Sequence, residues 1–302
     1  MLIISTLTGA TFGSFAKELS QALSPLSLLF VSEVLTLFFL FLSFGLIPSL
    51  RSIFRLSKSK FLPLLLVGIF SGVIGPLLLF TSLSITSAVN VGLFARTDMI
   101  FLILIAHAVL QEKLKQEHLL AMLFSTAGIL FIVFRGFSEG LTLRAGDLLI
   151  IIGALSYALG SIIFRKYLRN IEPHLALMAR SCLAITFFFL VSPFVNVTFL
   201  HQLEGIHTNL LPSLIGFALV ARFFSTTTYY EAIDRISITT ASLIGSTDIF
   251  FSALFAHLYL GETIEWYHFV GGLLLLMGGS LLAIYHTPTT KERFSVTVRH
   301  HR

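Results

Sequence analysis

One stretch of the chain, residues 88–112, is repeated 150 residues later as residues 238–262. Both copies are strongly apolar, and they share four polar residues at matching positions. The matched residues are Thr97 and Thr247, Asp98 and Asp248, His107 and His257, and Glu112 and Glu262. Leucines recur by chance in an apolar chain, whereas Asp, His and Glu do not, so the match indicates an internal duplication. The chain is therefore predicted to consist of two related halves.

The composition indicates that this chain folds in a lipid bilayer. Of its 302 residues, 56% are hydrophobic and only 12% are charged, against roughly 25% charged in an average soluble domain. One soluble core could not bury so much apolar surface. Backbone polar groups in lipid must be satisfied internally, which leaves helices or closed barrels. The apolar runs have helical length and lack the alternation of barrel strands, so an all-α integral membrane protein is predicted.

Ten transmembrane helices are predicted, since each span needs about 20 mainly apolar residues. The predicted spans are 2–21, 27–48, 61–81, 88–110, 118–135, 146–165, 175–195, 209–230, 238–260 and 267–286. Residues 1–140 would form a first five-helix repeat and residues 141–286 a second. Residues 287–302 would form a solvated basic tail.

The placement of Lys and Arg predicts the orientation of these spans. With the N-terminus inside, most basic residues fall on the inner side, and the opposite side holds only Lys17, Arg135 and Arg144. By the positive-inside rule both termini are cytoplasmic, in a multi-pass protein of the plasma (inner) membrane. The net charge of +5 is thus a signature of topology and does not indicate nucleic acid binding. Because five is odd, the second half would enter the membrane inverted, as in many alternating-access carriers.

Several short motifs resemble a known family. They are Phe12-Gly13-Ser14 with Lys17, Glu112 and Glu262 at the ends of the fourth and ninth spans, and the glycines Gly128, Gly271, Gly272, Gly278 and Gly279 in the helices that follow. In these residues and in its two five-helix halves, the chain resembles the drug/metabolite transporter superfamily, in its EamA-like branch. The resemblance implies a solute carrier with a central cavity lined largely by the first, third, fourth, sixth, eighth and ninth helices.

Two positions depart from the family pattern. Asp98 and Asp248 stand near a point where the fourth helix of each half often has a proline. An arginine is common in the second helix of each half, and Arg180 fits this pattern, but the first half has Glu33. Glu33 and Arg180 occupy related places, so an ion pair between the halves that acts as a gate is one interpretation.

Asp98 and Asp248 are the first candidates for function, because each lies near the middle of its span. A carboxylate there costs at least about 2.5 kcal/mol, so intramembrane acids usually face the bundle interior and serve a pathway. Such an acid could bind and release a proton within a transport cycle. The alternative is a structural acid, protonated or bonded to a helix end or an arginine.

A polar stripe marks the eighth span. Arg222, Ser225, Thr226 and Tyr229 recur at helical spacing and so share one face. A stripe of this kind is expected to line water or substrate rather than to face lipid. The alternative is that Arg222 neutralises Asp248 or Asp98.

Other polar and aromatic residues are weaker candidates. Arg96 precedes Asp98 by two residues, about 200° around an α-helix, so the two are predicted to point in different directions. Tyr157, Tyr229 and Phe12 are candidates for stacking on an organic solute or a cation, although such residues also pack without binding. The remaining polar residues near span ends, His107, His257, Glu112 and Glu262, are interpreted as interfacial hydrogen-bonding or helix-end groups.

The predicted function is secondary transport of a small organic solute, either an amino acid, a metabolite or a drug-like compound, with protons as the candidate coupling ion. The alternatives are an intramembrane enzyme and a non-transporting scaffold or receptor. The sequence contains neither His-Glu-x-x-His nor Gly-x-Ser-x-Gly. We therefore predict no catalytic residues, no metal and no cofactor, and a chain that works as a monomer or homodimer.

Overall fold

The computed structural model describes residues 1–48, 56–111, 114, 116–137, 144–168, 171–195, 208–235, 245 and 248–284, and all regular secondary structure in them is helical. We label the main helices α1 to α10 in chain order. They are α1 (Leu2–Gly9 and Phe12–Leu19), α2 (Pro25–Phe44), α3 (Lys58–Leu83), α4 (Ala88–Leu110), α5 (Gln116–Val133), α6 (Ala145–Tyr167), α7 (Pro173–Val191), α8 (Leu211–Ile215, Gly216–Phe224 and Ser225–Arg235), α9 (Asp248–Leu260) and α10 (Trp266–Ile284).

Seven helices in the described part of the chain, α2 to α8, are long and apolar enough to cross a membrane. This confirms the predicted class of an all-helical, multi-pass membrane protein. Helix α1 is broken after Gly9, and α9 and α10 are apolar but shorter. Ten spans therefore remain a prediction. The basic tail, Glu112 and Thr247 lie outside the described residues.

Local sequence signals explain where several helices begin and end. Helix α2 starts with Ser24, whose side chain accepts a hydrogen bond from the backbone of Ser27, and with Pro25 in the first turn, where a missing N–H costs nothing. It ends at Gly45, whose φ of 79° few other residues adopt easily. Helix α4 starts in the same way at Ser87, whose hydroxyl accepts from the Asn90 backbone.

Three helices depart from α-helical geometry in their middle. Helix α3 is π-helical over Gly68–Ile74 and α8 over Gly216–Phe224, while α4 has a 3-10 turn at Ala95–Thr97. In α3 the change precedes Pro76, which lacks the N–H that would bond one turn back. π-Helical and 3-10 interruptions occur often at functional sites, and interrupted spans are typical of transporter binding sites.

The second helices of the two halves pack against each other in antiparallel fashion. At one end of the pair Phe44 of α2 stacks on His174, near the start of α7, with ring centroids 4.3 Å apart. At the other end Phe30, near the start of α2, stacks on Phe188, near the end of α7, at 4.2 Å. The residue order along α2 is thus reversed along α7.

The fifth helices of the two halves also pack in antiparallel fashion, along glycines. A methyl group added to Gly128 of α5 would lie 2.6 Å from the Gly271 carbonyl of α10, and one added to Gly278 would lie 2.7 Å from the Ala121 carbonyl. Only glycine permits backbones to approach so closely. In each of these two pairs the helices thus run in opposite directions, and the inverted repeat itself remains a prediction.

Candidate functional site: a central cavity and a polar vestibule

A cavity of about 240 Å³ lies in the middle of the bundle, with walls from α1, α3, α4, α6, α7, α8 and α9. These include the six helices that the family resemblance implies. All eight residues predicted as site residues line it: Arg96, Asp98, Tyr157, Arg222, Ser225, Thr226, Tyr229 and Asp248. Their part in solute binding or coupling remains a prediction. The sequence analysis did not single out Ser5, Ser71 or Ser161, which also line the cavity, because isolated serines are common in apolar helices.

A first group of charged residues, the Glu33 cluster, consists of Glu33 of α2, Arg180 and Ser181 of α7, and Arg222 of α8. Arg180 Nη2 lies 3.3 Å from Glu33 Oε1 and 3.4 Å from Oε2, and Ser181 Oγ donates to Oε2 at 2.7 Å. Arg222 donates to Glu33 Oε1. Glu33 is fully buried.

The Glu33 cluster tests two of the sequence-based expectations. The ion pair between Glu33 and Arg180 is confirmed, whereas its role as a gate is not tested. The proposed pairing of Arg222 with Asp248 or Asp98 is wrong, because Arg222 bonds Glu33. The sequence could not resolve this choice, since it does not show that α2 packs against both α7 and α8.

A second group, the Asp248 cluster, consists of Arg96 and Asp98 of α4 and Asp248 of α9. Arg96 Nη2 donates to Asp248 Oδ2 at 2.5 Å, and its Nη1 donates to the Gly245 carbonyl at 3.1 Å. Asp98 lies close enough to interact electrostatically with Arg96, Asp248 and Tyr229. Tyr229 Oη in turn lies 3.4 Å from Ser161 Oγ.

The predicted divergence of Arg96 and Asp98 is wrong, since both line the cavity. The 3-10 turn at Ala95–Thr97 explains the difference. At three residues per turn, two residues two positions apart differ by about 120° in direction, against about 160° in an α-helix. The long arginine side chain covers the remaining angle.

Both clusters contain polar atoms without a partner. Among the described residues, Nε of Arg96, Arg180 and Arg222 and Oδ1 of Asp248 are buried and accept or donate no hydrogen bond. All four residues line the cavity. Buried polar groups are nearly always hydrogen-bonded, so unpartnered groups in a cavity wall are suited to bond a polar ligand that enters the cavity. The cavity therefore offers unused donors and one unused acceptor.

A second, larger cavity of about 790 Å³, here called the vestibule, lies at one end of the bundle. Its polar lining includes Lys17 of α1, Asp147 of α6 and Glu262, which follows α9. On α1 and after α9 the vestibule residues lie C-terminal to those of the central cavity, whereas on α4 and α6 most of them lie N-terminal to those of the central cavity. The two cavities therefore lie at different levels along the length of the bundle.

Three phenylalanines pack against one another in one layer beside the central cavity. Phe12 of α1 stacks on Phe80 of α3 with ring centroids 5.6 Å apart, and both contact Phe217 of α8, at 5.4 and 6.0 Å. Phe80 and Phe217 are completely buried. Phe12 thus packs in this layer and at the same time forms part of the cavity wall.

Hydrogen bonds between helix ends surround the vestibule. The Glu262 carboxylate accepts from the backbone N–H groups of Ala88 and Val89, at 2.8 and 2.9 Å, and so caps α4. Lys17 Nζ donates to the carbonyls of Leu83 and Thr86, at 2.5 and 2.8 Å. The interpretation of Glu262 as a helix-end group is confirmed, while its counterpart Glu112 lies outside the described residues.

A third contact at this end was missed by the sequence analysis. Ser213 of α8 donates to Glu18 of α1, and Tyr259 of α9 donates to the same carboxylate at 2.6 Å.

His257 Nδ1 lies 2.9 Å from the Glu262 carbonyl, as expected for an interfacial hydrogen-bonding group. Within the described ranges, no group of three or more His, Cys, Asp or Glu residues could hold a metal ion.

Comparison with known proteins identifies relatives over most of the chain. The model of the EamA-like transporter family matches residues 1–134 and 144–284. An uncharacterized transporter of Synechocystis is 24% identical over 88% of this chain and 78% of its own length. One of Methanothermobacter thermautotrophicus is 26% identical over 76% of this chain and 66% of its own. A protein of known crystal structure shares the fold, with a TM-score of 0.69 at 14% identity over 94% of this chain and 95% of that chain.

Proposed function

Because the chain belongs to the EamA-like transporter family, we propose that this membrane transporter moves a small organic solute by alternating access. The observation that carries the proposal is the central cavity, which collects charged side chains from both halves in the apolar interior of the bundle. Charged groups at that depth are costly and mark solute or ion pathways. The names of the relatives are those of transporters, which fits a chain that is not an enzyme.

Alternating access is supported by the presence of two separate cavities. In the proposed arrangement, the layer of Phe12, Phe80 and Phe217 separates the central cavity, which Phe12 lines, from the vestibule. The contacts of Glu262 and Lys17 tie helix ends together around the vestibule. In the proposed cycle these contacts break, the phenylalanines separate, and the central cavity becomes continuous with the vestibule.

The proposed topology follows the charge distribution and the helix pairs. Residues 1–140 and 141–286 form two five-helix repeats that enter the membrane in opposite senses, as the antiparallel packing of α2 with α7 and of α5 with α10 supports. With both termini in the cytoplasm, the vestibule faces the outside of the plasma membrane. The unit of transport is one chain or a homodimer.

We further propose that Asp98 and Asp248 provide proton coupling. Their immediate charged neighbour is Arg96, with Tyr229 and Ser161 beside it. Arg96 bonds one oxygen of Asp248 directly and also lies near Asp98. Because two carboxylates share this one guanidinium group, the site has more acid than base. A proton that binds there would neutralise the excess, and the arrival of a solute would release it.

The test is transport by purified protein in proteoliposomes, with an imposed pH gradient and radiolabelled amino acids and other small metabolites. Asp98→Asn and Asp248→Asn should each abolish gradient-driven flux while the protein remains folded. Glu172→Gln is the charge-matched control, because Glu172 is exposed at the start of α7, lines neither cavity and should retain flux. Proton-driven flux at the wild-type rate in both Asp variants would refute the coupling, and no flux of any solute by the wild type would refute the transport function.

A further inference from the structure

The two charged clusters carry opposite net charges. In the Glu33 cluster, two guanidinium groups surround one carboxylate, which leaves one positive charge in excess. In the Asp248 cluster, two carboxylates lie near one guanidinium, which leaves one negative charge in excess when both are ionised. A net charge inside a membrane protein is costly unless it is paired. Each cluster is thus suited to a ligand group of the opposite sign.

Three of the four unpartnered charged-group atoms in the described part of the chain match the net charge of their cluster, and the fourth is the Nε donor of Arg96 in the Asp248 cluster. Arg180 and Arg222 are each 2% exposed and keep a buried Nε donor without a partner among the described residues. Asp248 is 8% exposed and keeps Oδ1 as an unused acceptor. All three side chains line the same cavity. The Glu33 cluster therefore offers two free donors, which suit a carboxylate. The Asp248 cluster offers one free donor and one free acceptor, and its excess negative charge makes the acceptor suited to an ammonium group.

The distance between the two clusters can be estimated from residue spacing along two helices. On α6, Tyr157 lies within hydrogen-bonding reach of Arg222, and Ser161, four residues later, contacts Tyr229 beside the Asp248 cluster. Four residues correspond to about 6 Å of helix. On α8, Arg222 and Tyr229 are seven residues apart, or about 10 Å. The two charged regions are thus separated by roughly 6 to 10 Å along the cavity wall.

We propose that the solute is a zwitterion whose ammonium and carboxylate groups are separated by several carbon atoms, with the carboxylate at Arg180 and Arg222 and the ammonium at Asp98 and Asp248. An α-amino acid carries both groups on one carbon, within about 4 Å, whereas four methylene groups between them give about 6 to 7 Å when extended. A cavity of about 240 Å³ is smaller than typical pockets for drug-sized ligands, which are about 300–1,000 Å³. This inference rests on the proposed transport function and specifies its substrate class.

Four matched probes test the proposal: 5-aminopentanoate, its isomer 2-aminopentanoate, pentanoate and pentylamine. Binding is measured on purified full-length protein in lipid nanodiscs by calorimetry and by thermal shift, since a ligand that binds only the folded state stabilises it. We expect 5-aminopentanoate to bind at least about tenfold more tightly than the other three, because each of them lacks one charged contact or places it wrongly. Equal or tighter binding of any other probe, or binding of none, would overturn the proposal.

A variant assigns the ends of the solute. Asp98→Asn should reduce the preference for 5-aminopentanoate over pentanoate at least severalfold and leave its preference over pentylamine. Glu172→Gln, at an exposed position outside both cavities, should change none of the four affinities. If Asp98→Asn does not fold, the wild-type probe series still decides the question. An unchanged preference in a folded Asp98→Asn protein would refute the assignment of the ammonium end.

The same protein in proteoliposomes separates this inference from the transport function. Flux of neutral or singly charged solutes, with no binding of 5-aminopentanoate, would refute the zwitterion and leave the carrier intact. Binding of 5-aminopentanoate, with no flux of any solute, would support the inference and refute transport.

Discussion

Glu33 and Asp248 are both buried acids at mid-bundle positions, yet their surroundings differ. Glu33 receives hydrogen bonds from Arg180, Ser181 and Arg222 and is completely buried. Asp248 receives one bond, from Arg96 to Oδ2, and its Oδ1 has no partner among the described residues. The first carboxylate is saturated and joins three helices, whereas the second keeps an oxygen available at a cavity. Saturation thus distinguishes an acid that holds the fold together from one that can serve a solute or a proton.

The largest expected effect is on Glu33. In Glu33→Gln, Arg180 and Arg222 remain buried without a counter-charge, and breaking a buried ion pair in this way typically costs about 3–5 kcal/mol. We expect a large fall in the thermal unfolding temperature of the detergent-purified protein.

Ser181→Ala is the matched control for Glu33→Gln. It removes one hydrogen bond to the same carboxylate but no charge, at a cost of about 1 kcal/mol. A Glu33→Gln protein as stable as the wild type but without flux would show that Glu33 is functional, and the comparison would fail.

Asp248→Asn should show the opposite balance, with a smaller loss of stability and a larger loss of flux. The asparagine can still accept from Arg96, and the cavity gives the arginine access to water, so we expect a cost of about 1–3 kcal/mol. Solute flux in proteoliposomes should fall at least about tenfold. Asp248→Asn flux within twofold of wild type, together with a loss of stability like that of Glu33→Gln, would make the two acids equivalent.

The sequence predicted the all-helical membrane class, because the signals for that class are local. Apolar runs located the helices, and the repeat of Asp98 at Asp248 directed attention to the walls of the cavity. Arg222, Ser225 and Tyr229 were found from their spacing on one helix face, which depends on helix geometry alone.

The sequence failed where partners come from different helices. Arg222 bonds Glu33, 189 residues away, and no periodicity within α8 predicts that contact. The 3-10 turn at Ala95–Thr97 likewise brings Arg96 toward the cavity against α-helical expectation. Glu18, Ser213 and Tyr259 meet only because the ends of α1 and α9 lie at the same level as the start of α8. Such tertiary contacts are fixed by packing, which a single sequence does not specify.

Glu262, at the vestibule, is a third carboxylate with both oxygens hydrogen-bonded. In the proposed cycle its bonds keep the vestibule separate from the central cavity, whereas those of Glu33 stabilise the packed interior. Glu262→Gln loses the charge that favours the N-terminus of α4, and only one amide oxygen remains to accept from Ala88 and Val89. We expect a loss of about 1 kcal/mol, which is a factor of about five in the closing equilibrium.

The opening caused by Glu262→Gln can be measured with a cysteine at Val91, which lines the central cavity, in a Cys182→Ser background. A membrane-impermeant thiol reagent added on the vestibule side should label it about fivefold faster in Glu262→Gln. Glu265→Gln, at the same vestibule, should label at the parental rate. Equal labelling rates of the cysteine in Glu262→Gln and in Glu265→Gln would show that Glu262 does not help to keep the two cavities separate.

The smallest expected effect is that of Tyr229→Phe. The Tyr229 hydroxyl lies 3.4 Å from Ser161 Oγ, at the long end of hydrogen-bonding distance, so its loss should change stability by no more than about 1 kcal/mol. The ring that forms the cavity wall beside Asp98 and Arg96 is retained. Concentration dependence of flux should therefore show a KM raised about two- to fivefold at most, with kcat unchanged. Abolished flux in a stable Tyr229→Phe protein would instead show that the hydroxyl belongs with Asp248 among the groups on which transport depends.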